Sequence, residues 1–164
     1  MNEQKKYEFT GEIKVVFGIN FKQIRAIINF GCVVAGEIGG WIECEENLSQ
    51  YGDAWVSGDA WVSGNARVSG NAWVYGDARV YGNAEVKKDD DYMVVGGAGR
   101  YNRFTTFFKC RDKTIKVICG CFFGTIIEFR AKVKETHKGN KHEKVYLAMA
   151  DMAELQIGND EVEK

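Results

Sequence analysis

The most constraining feature of this chain is a run of six consecutive hexapeptides over residues 51–86. The units read YGDAWV, SGDAWV, SGNARV, SGNAWV, YGDARV and YGNAEV, with no insertion between them. A period of six would scatter the recurring Ala and Val around a helix, but it places them on one face of a short strand. Gly-Asp and Gly-Asn provide the backbone freedom for a sharp bend in every unit. The repeat therefore predicts short strands separated by tight turns.

This pattern resembles the hexapeptide repeat of the left-handed parallel β-helix, in which three units complete one triangular coil. Residues eighteen apart should then stack at the inter-strand spacing of about 4.8 Å. For the outward position between Ala and Val, the stacked pairs are Trp55 with Trp73, Trp61 with Arg79, and Arg67 with Glu85. Aromatic stacking, a cation–π contact and an opposite-charge pair are all favourable between neighbours.

Two coils need further neighbours to complete a core, so the flanking segments are expected to close both ends. The β-helix resemblance implies a homo-oligomer, a trimer or a multiple of three. We expect the outward side chains of the repeats to be exposed and to form a partner or oligomer surface. This surface comprises Trp55, Trp61, Trp73, Tyr75, Arg79 and Tyr81. Alternatively, the tryptophans only stack on one another.

The predicted fold is mainly β: a short left-handed parallel β-helix with a β-rich N-terminal cap and an α+β C-terminal module. Residues 1–50 form the cap, with a hairpin around Gly11 and a degenerate first coil from Gly36 onward. Residues 87–91, Lys-Lys-Asp-Asp-Asp, are predicted to be a solvated linker.

Residues 92–164 are predicted to form the C-terminal module, with three strands and two helices. A glycine-rich loop is expected over residues 96–99, between the first two strands. Thr125 and Glu128 have the spacing of a capping box, which predicts a helix from Ile126 to about His137. Asn140 is expected to cap a second helix that ends near Leu155.

A second resemblance rests on Cys-Gly-Cys-Phe-Phe-Gly-Thr at residues 119–125, followed by Lys-Val-Lys-Glu-Thr-His at 132–137. This string resembles the C-terminal module of small phage and prophage proteins. In that family Gly-Gly-Trp-Ile-Glu and Glu-Glu-Asn-Leu-Ser, here at 39–43 and 45–49, precede repeats of the YGNA type. The match extends over most of residues 36–155. It implies a phage-encoded protein that acts in the cytoplasm of a bacterial host.

Composition argues against several classes of function. Lys and Arg number 22 against 23 Asp and Glu, so the net charge of −1 offers no broad field for a nucleic-acid duplex or an anionic membrane. The longest mostly apolar run, residues 117–127, is too short to span a bilayer. Five scattered Cys indicate reduced thiols rather than a disulfide framework, and their spacing suggests no zinc site. We predict no metal and no cofactor.

Catalysis is also not expected. Hexapeptide-repeat acyltransferases and γ-class carbonic anhydrases place histidines on the coils, as general base or as zinc ligands. Residues 51–86 contain no His, and the two in the chain, His137 and His142, fall on the predicted C-terminal helices. We interpret His137 as a residue compatible with the helix dipole at a C-terminus. The prediction is a protein that is not an enzyme.

The best candidate for a binding site is the segment 96–106. Its glycines can bring backbone N–H groups close to an anion, and its arginines can bind phosphate in bidentate fashion. A tyrosine offers a face on which a base can stack, and two threonines add hydroxyl donors. The predicted ligand-binding residues are Gly97, Gly99, Arg100, Tyr101, Asn102, Arg103, Thr105 and Thr106. The alternative is an ordinary glycine-rich hairpin loop whose arginines face water.

Two hypotheses about function follow. In the first, a phage-encoded protein antagonises host defence by sequestering a nucleotide-type signalling molecule, a small phosphate-bearing ligand, as an oligomer. In the second, the protein is an interaction scaffold whose aromatic ladders bind and inhibit a host defence protein or a phage protein.

Overall fold

The computed structural model describes residues 4–158. Over this range the chain is mainly β, with two α-helices in its C-terminal part. It divides into two compact units, Met1–Asp89 and Asp90–Lys164, called here the N-terminal and C-terminal units. Within the described residues, no helix combines the length and apolar character needed to cross a membrane.

The N-terminal unit begins with an antiparallel hairpin of β1 (Tyr7–Val16) and β2 (Ile19–Ala26), followed by β3 (Ile38–Ile42). The predicted hairpin around Gly11 is wrong, because the turn lies at Phe17 and Gly18. Gly11 instead lies inside β1 with φ +98°, where the register shifts between Phe9 and Ile13. A glycine is needed there because the bulged residue takes a left-handed conformation.

Each hexapeptide contributes one two-residue strand. The six are β4 (Trp55–Val56), β5 (Trp61–Val62), β6 (Arg67–Val68), β7 (Trp73–Val74), β8 (Arg79–Val80) and β9 (Glu85–Val86). They pair in parallel as β4 with β7, β5 with β8 and β6 with β9. The predicted register of eighteen residues is therefore confirmed, including Trp55 beside Trp73 and Trp61 beside Arg79. The hairpin and β3 join the β5–β8 pair in a five-stranded sheet of order β1-β2-β3-β5-β8. This sheet is mixed, because β1 and β2 pair antiparallel whereas β3 and β5 pair in parallel.

The repeat valines and alanines form the core of the N-terminal unit, and each is at most 1% exposed. The repeat glycines have φ between +63° and +72°, as the turns require. A Cβ on Gly52 would lie 2.7 Å from the carbonyl oxygen of Gly70 in the next layer, so a larger residue would push the layers apart.

Buried polar side chains attach the N-terminal segment to the repeats. The Lys6 ammonium is buried and donates to the carbonyl oxygen of Ala54 at 2.6 Å. Burial lowers the pKa of Lys6 to about 8, although the charge of Asp53 opposes the shift. The Tyr7 hydroxyl donates to Leu48 O at 2.9 Å, and burial raises the pKa of that phenol.

The C-terminal unit is a four-stranded antiparallel sheet followed by two helices. Its elements are β10 (Tyr92–Ala98), β11 (Arg103–Lys109), β12 (Ile115–Cys119), β13 (Phe122–Thr125), α1 (Ile126–His137) and α2 (Lys141–Ile157), with the strands in sequential order. The helices pack on one face of the sheet, where Phe129 meets Phe107 edge-on at 5.7 Å between ring centroids. Arg130 of α1 donates at 2.8 Å to both Asp151 and Glu154 of α2, which fastens the helices together.

Both helix starts agree with the sequence. Thr125 Oγ1 accepts from Glu128 N at 3.2 Å, and the Glu128 carboxylate accepts from Thr125 N at 2.7 Å, as in a capping box. The Asn140 side chain accepts from His142 N and Glu143 N at the start of α2. This helix extends to Ile157, two residues beyond the predicted end near Leu155.

Three predictions for this region are wrong. The sheet has a fourth strand, β13, because the chain reverses at Gly120 and Cys121 and pairs again before α1 begins. The expected loop over residues 96–99 is largely strand, since β10 continues to Ala98, which pairs with Arg103. Finally, the linker is not solvated throughout: Asp91 is buried, with its carboxylate 4.0 Å from the Lys109 ammonium.

Candidate functional site

The candidate site is a cleft of about 560 Å³ in the C-terminal unit. It is bounded by the turn between β10 and β11, the turn between β12 and β13, and the facing parts of α1 and α2. Five basic side chains line it: Arg100, Arg103, Lys132, His137 and His142. Four aromatic rings also line it: Tyr101, Phe122, Phe129 and Tyr146. None of the described residues that line the cleft is Asp or Glu, although the Lys132 ammonium pairs with Glu135 just outside it at 3.4 Å. The lining therefore favours an anion, mainly through its arginines.

A second cavity, of about 600 Å³, lies in the N-terminal unit. Glu45, Glu46 and Glu85 line it together with Lys5 and Arg67. Lys5 already pairs with Glu45 at 2.8 Å. Because both signs of charge are present and partly neutralise each other, this cavity has no comparable preference for an anionic ligand.

Three predicted ligand-binding residues meet at one end of the cleft. The guanidinium carbon of Arg103 lies 4.9 Å from the centroid of the Tyr101 ring, and that of Arg100 lies 5.9 Å from it. The Tyr101 side chain itself is 69% exposed. Two guanidinium groups around one accessible ring can bind a phosphate and still leave an aromatic face for stacking.

Two glycines lie close to side chains of the cleft, Gly99 on the β10–β11 turn and Gly120 on the β12–β13 turn. Gly99 has φ +73°, and a Cβ there would collide with the Tyr146 hydroxyl. Gly120 has φ +59°, and a Cβ there would collide with the Arg103 guanidinium. Arg103 therefore lies directly over the β12–β13 turn.

The predicted threonines do not belong to the cleft. Thr105 and Thr106 are 0% and 1% exposed, because both lie in the middle of β11. The Thr105 hydroxyl donates to the Cys119 sulfur at 3.2 Å. Gly97 also lies outside the cleft lining, within β10, where a Cβ would come within 3.4 Å of the Asn102 side-chain oxygen. Asn102, with φ +54°, forms the turn but likewise does not line the cleft.

The helices contribute residues to the cleft that were not predicted from the sequence. His137 ends α1 and His142 lies in the first turn of α2, with 5.7 Å between their ring centroids. His137 also stacks on Tyr146 at 5.4 Å. The short connection at residues 138–140 was the available signal, since it must bring the two helix ends together.

Tyr146 connects the two sides of the cleft. Its hydroxyl reaches Gly99 on the β10–β11 turn, while its ring faces His137. Burial raises the pKa of Tyr146 to about 12; Cys119 adds to the shift and Arg103 opposes it. The phenol therefore keeps its proton at neutral pH and can donate a hydrogen bond.

The predicted aromatic surface on the repeats is largely covered. Trp55 is 0% exposed and packs against Tyr7 and Phe30, with ring centroids 6.4 and 5.4 Å away. Trp61 is 9% exposed and packs against Phe21 of β2 at 4.9 Å. The expectation that these tryptophans are exposed is wrong, because the N-terminal hairpin and the segment after it cover them.

The remaining residues of that predicted surface are more accessible. Trp73 is half-buried, and its indole N–H donates to Ser57 Oγ at 2.8 Å. Arg79 is also half-buried, with its guanidinium 5.6 Å from the Trp61 ring, as the predicted ladder requires. Tyr81 stacks on Trp61 at 6.2 Å, and Tyr75 is 57% exposed.

Comparison of the chain with protein-family models and with curated proteins finds no match. Among residues 4–158, no group of three or more His, Cys, Asp or Glu is arranged to hold a metal ion.

Proposed function

We propose that this protein is a non-enzymatic binding protein that takes a small phosphate-bearing ligand of the nucleotide type in the cleft of its C-terminal unit. The observation that carries the proposal is the grouping of Arg100, Arg103 and Lys132 around one concave site without a lining carboxylate. A phosphate there gains charge-assisted hydrogen bonds, and no lining carboxylate repels it.

The aromatic lining supports a nucleotide rather than a bare phosphate. Tyr101 presents an accessible ring, and Phe122, Phe129 and Tyr146 provide apolar walls. A base can stack on such rings whatever its identity, with about 1–3 kcal/mol for each base stacked. The cleft volume also lies within the roughly 300–1,000 Å³ typical of small-molecule sites.

We further propose a biological setting for this binding. The resemblance to small phage and prophage proteins supports a role in the cytoplasm of a bacterial host. There the protein would antagonise host defence by sequestering a nucleotide-type signalling molecule. Sequestration needs abundance and affinity but no turnover, which is compatible with a site that lacks a recognisable catalytic set.

The N-terminal unit is proposed to serve as an assembly scaffold. Parallel pairing every eighteen residues and a core of stacked Ala and Val support a short left-handed parallel β-helix. The resemblance to such repeats supports a trimer or a multiple of three. Native mass spectrometry tests this proposal, and a species of one or two chains at micromolar concentration would contradict it.

The binding proposal is tested by isothermal titration calorimetry with a panel of nucleoside monophosphates at low salt. Replacing Arg100 and Arg103 together by Gln should weaken binding by tenfold or more, because each charge-assisted hydrogen bond contributes about 1.5–3 kcal/mol. Arg111→Gln is the matched control, since Arg111 is an exposed arginine of the same unit outside the cleft. Equal losses in the control, or the absence of binding to every nucleotide in the panel, would refute the proposal.

A further inference from the structure

The chain contains two histidines, and both line the cleft. His137 is the last residue of α1, and His142 lies in the first turn of α2. Both side chains are half-buried, with 5.7 Å between their ring centroids. Imidazole is the side chain whose charge ordinarily changes between pH 5 and 8. The cleft therefore holds a pair of groups, called here the histidine pair, whose charge can change close to neutral pH.

The other ionisable side chains among the described lining residues do not ordinarily change charge in this range. The permanent cations are Arg100, Arg103 and Lys132, and the Lys132 ammonium already pairs with Glu135 at 3.4 Å. The remaining groups, which are ordinarily neutral at and below neutral pH, are the thiols of Cys119 and Cys121 and the phenols of Tyr101 and Tyr146. A change in the charge of the lining between pH 5.5 and 7.5 is therefore a change in the histidine pair.

The surroundings of the two imidazoles determine how the pair takes up a proton. His137 stacks on the Tyr146 ring at 5.4 Å and ends α1, and both an aromatic face and a helix C-terminus favour a positive charge. His142 lies at a helix N-terminus, which disfavours one. Glu143, the next residue, accepts a hydrogen bond from Gly139 N. Two imidazolium rings 5.7 Å apart would repel each other, so the pair binds its first proton more readily than its second.

An anion in the cleft changes this balance. In the free protein, the guanidinium groups of Arg100 and Arg103 oppose a further positive charge. A bound phosphate attracts an imidazolium but not a neutral imidazole. A cleft of about 560 Å³ is about 8 Å across, within the Debye length of about 10 Å at 0.1 M salt, so this attraction is only partly screened. By linkage, the ligand strengthens proton binding and the proton strengthens ligand binding by the same factor.

We infer that ligand binding in the cleft is coupled to protonation of the histidine pair, so that the site holds a phosphate-bearing ligand more tightly at mildly acidic pH than at neutral or alkaline pH. Affinity rises as the pH falls through the range in which imidazole titrates, and it levels off below that range. This inference rests on the proposed function, because it assigns the regulation of the same cleft.

Cyclic 3′,5′-adenosine monophosphate is the first probe, because its phosphodiester keeps one negative charge from pH 5.5 to pH 8. Calorimetry should show its affinity rising by about tenfold or more from pH 8 to pH 5.5. At pH 6.5, two buffers of different ionisation enthalpy should reveal the uptake of up to one proton for each ligand bound. An affinity that does not change with pH, with no proton uptake, would overturn the inference.

Substitutions assign the pH dependence to the histidine pair. His137→Gln with His142→Gln should make the affinity independent of pH, whereas Lys132→Gln, the matched control, removes a permanent charge of the cleft and should keep the pH dependence. Adenosine 5′-monophosphate is the second probe. Its own phosphate titrates near pH 6, so the result is the difference between the wild-type protein and the double variant. A full pH dependence in the double variant would overturn the inference.

Nuclear magnetic resonance tests the coupling without any substitution. The two imidazole signals are followed from pH 5 to pH 8 in the free protein and at saturating cyclic nucleotide. At least one titration midpoint should move to higher pH when the ligand is bound, and unchanged midpoints would overturn the inference even if the double variant fails to fold.

The outcomes separate this inference from the proposed function. If a nucleotide binds with an affinity that depends on Arg100 and Arg103 but not on the protonation of the histidine pair, only the inference fails. If neither nucleotide binds the wild-type protein, both fail, since stacking on an exposed ring accepts any base. Circular dichroism of every variant checks that a loss of binding does not reflect unfolding.

Discussion

Replacing Gly120 by Ala gives the sharpest test of how the cleft is organised. Gly120 has φ +59°, a left-handed conformation that costs an L-residue about 1–2 kcal/mol. In addition, the new Cβ would collide with the end of the Arg103 side chain, which lies directly over it. The Arg103 side chain is flexible, and the Tyr101 side chain beside it is 69% exposed. The guanidinium would therefore move, and the strand would stay in place.

The expected magnitudes follow from these contacts. In a unit of this size, each kcal/mol of backbone strain should lower the melting temperature by about 4–8 °C. Displacing Arg103 from the Tyr101 ring and from a bound phosphate should weaken nucleotide binding by about tenfold or more. Melting is followed by circular dichroism and affinity by calorimetry.

Gly139→Ala is the matched control. Gly139 has φ +82° in the same unit, but a Cβ there would meet no atom within 4 Å. Gly139→Ala should lower the melting temperature by a similar amount to Gly120→Ala and leave nucleotide affinity unchanged. Combining Gly120→Ala with Arg103→Gln should weaken binding no more than Arg103→Gln alone, because both substitutions remove the same contact, that of the Arg103 guanidinium with the ligand. Wild-type affinity in Gly120→Ala, or an equal loss in Gly139→Ala, would refute this account.

Three further predictions concern other parts of the molecule. Trp55→Ala should lower the free energy of unfolding, measured by urea denaturation, by about 3–5 kcal/mol, because Trp55 is 0% exposed. Tyr75→Ala should lower it far less, because Tyr75 is 57% exposed. Equal losses in the two variants would contradict the packing described. Cys121 lines the cleft, so a saturating nucleotide should slow its alkylation by iodoacetamide, measured by peptide mass spectrometry, while exposed Cys32 reacts at an unchanged rate. Burial lowers the pKa of Lys6 from 10.5 in the unfolded chain to about 8 in the folded chain. Between these two pH values the unfolded chain keeps the Lys6 proton and the folded chain has lost it. Stability should therefore rise with pH across this window, and Lys6→Met should flatten the rise; an unchanged slope would count against a buried, perturbed Lys6.

Local patterns along the chain were sufficient for the features that depend on neighbouring residues. The six-residue period was enough to predict short strands and turns, because each turn needs only its own Gly and each strand its own Ala and Val. The resemblance to the left-handed parallel β-helix then implied the parallel register of eighteen residues. The start of α1 followed from Thr125 and Glu128, whose side chains close the first turn by themselves.

Features decided by distant contacts were predicted less well. Gly11 looked like a hairpin turn, but pairing of β1 with β2 uses it as a bulge. The strand Phe122–Thr125 is too short to have a pattern of its own, and it forms because β12 is available to pair with it. Trp55 looked exposed because the repeat alone would leave it outward, yet Tyr7 and Phe30, distant in sequence, cover it.

The candidate site shows the same division. Arg100, Tyr101 and Arg103 are close in sequence, and their proximity could be predicted because one tight turn brings them together. Lys132, His137 and His142 join them only because the helices pack on the sheet and Tyr146 bridges the two sides. The sequence by itself determined the repeat, the helix starts and the part of the candidate cleft that lies on one turn, Arg100, Tyr101 and Arg103. Tertiary structure alone decided which surfaces are buried and which helix residues line the candidate cleft, since both depend on contacts between segments whose spacing along the chain carries no periodic signal.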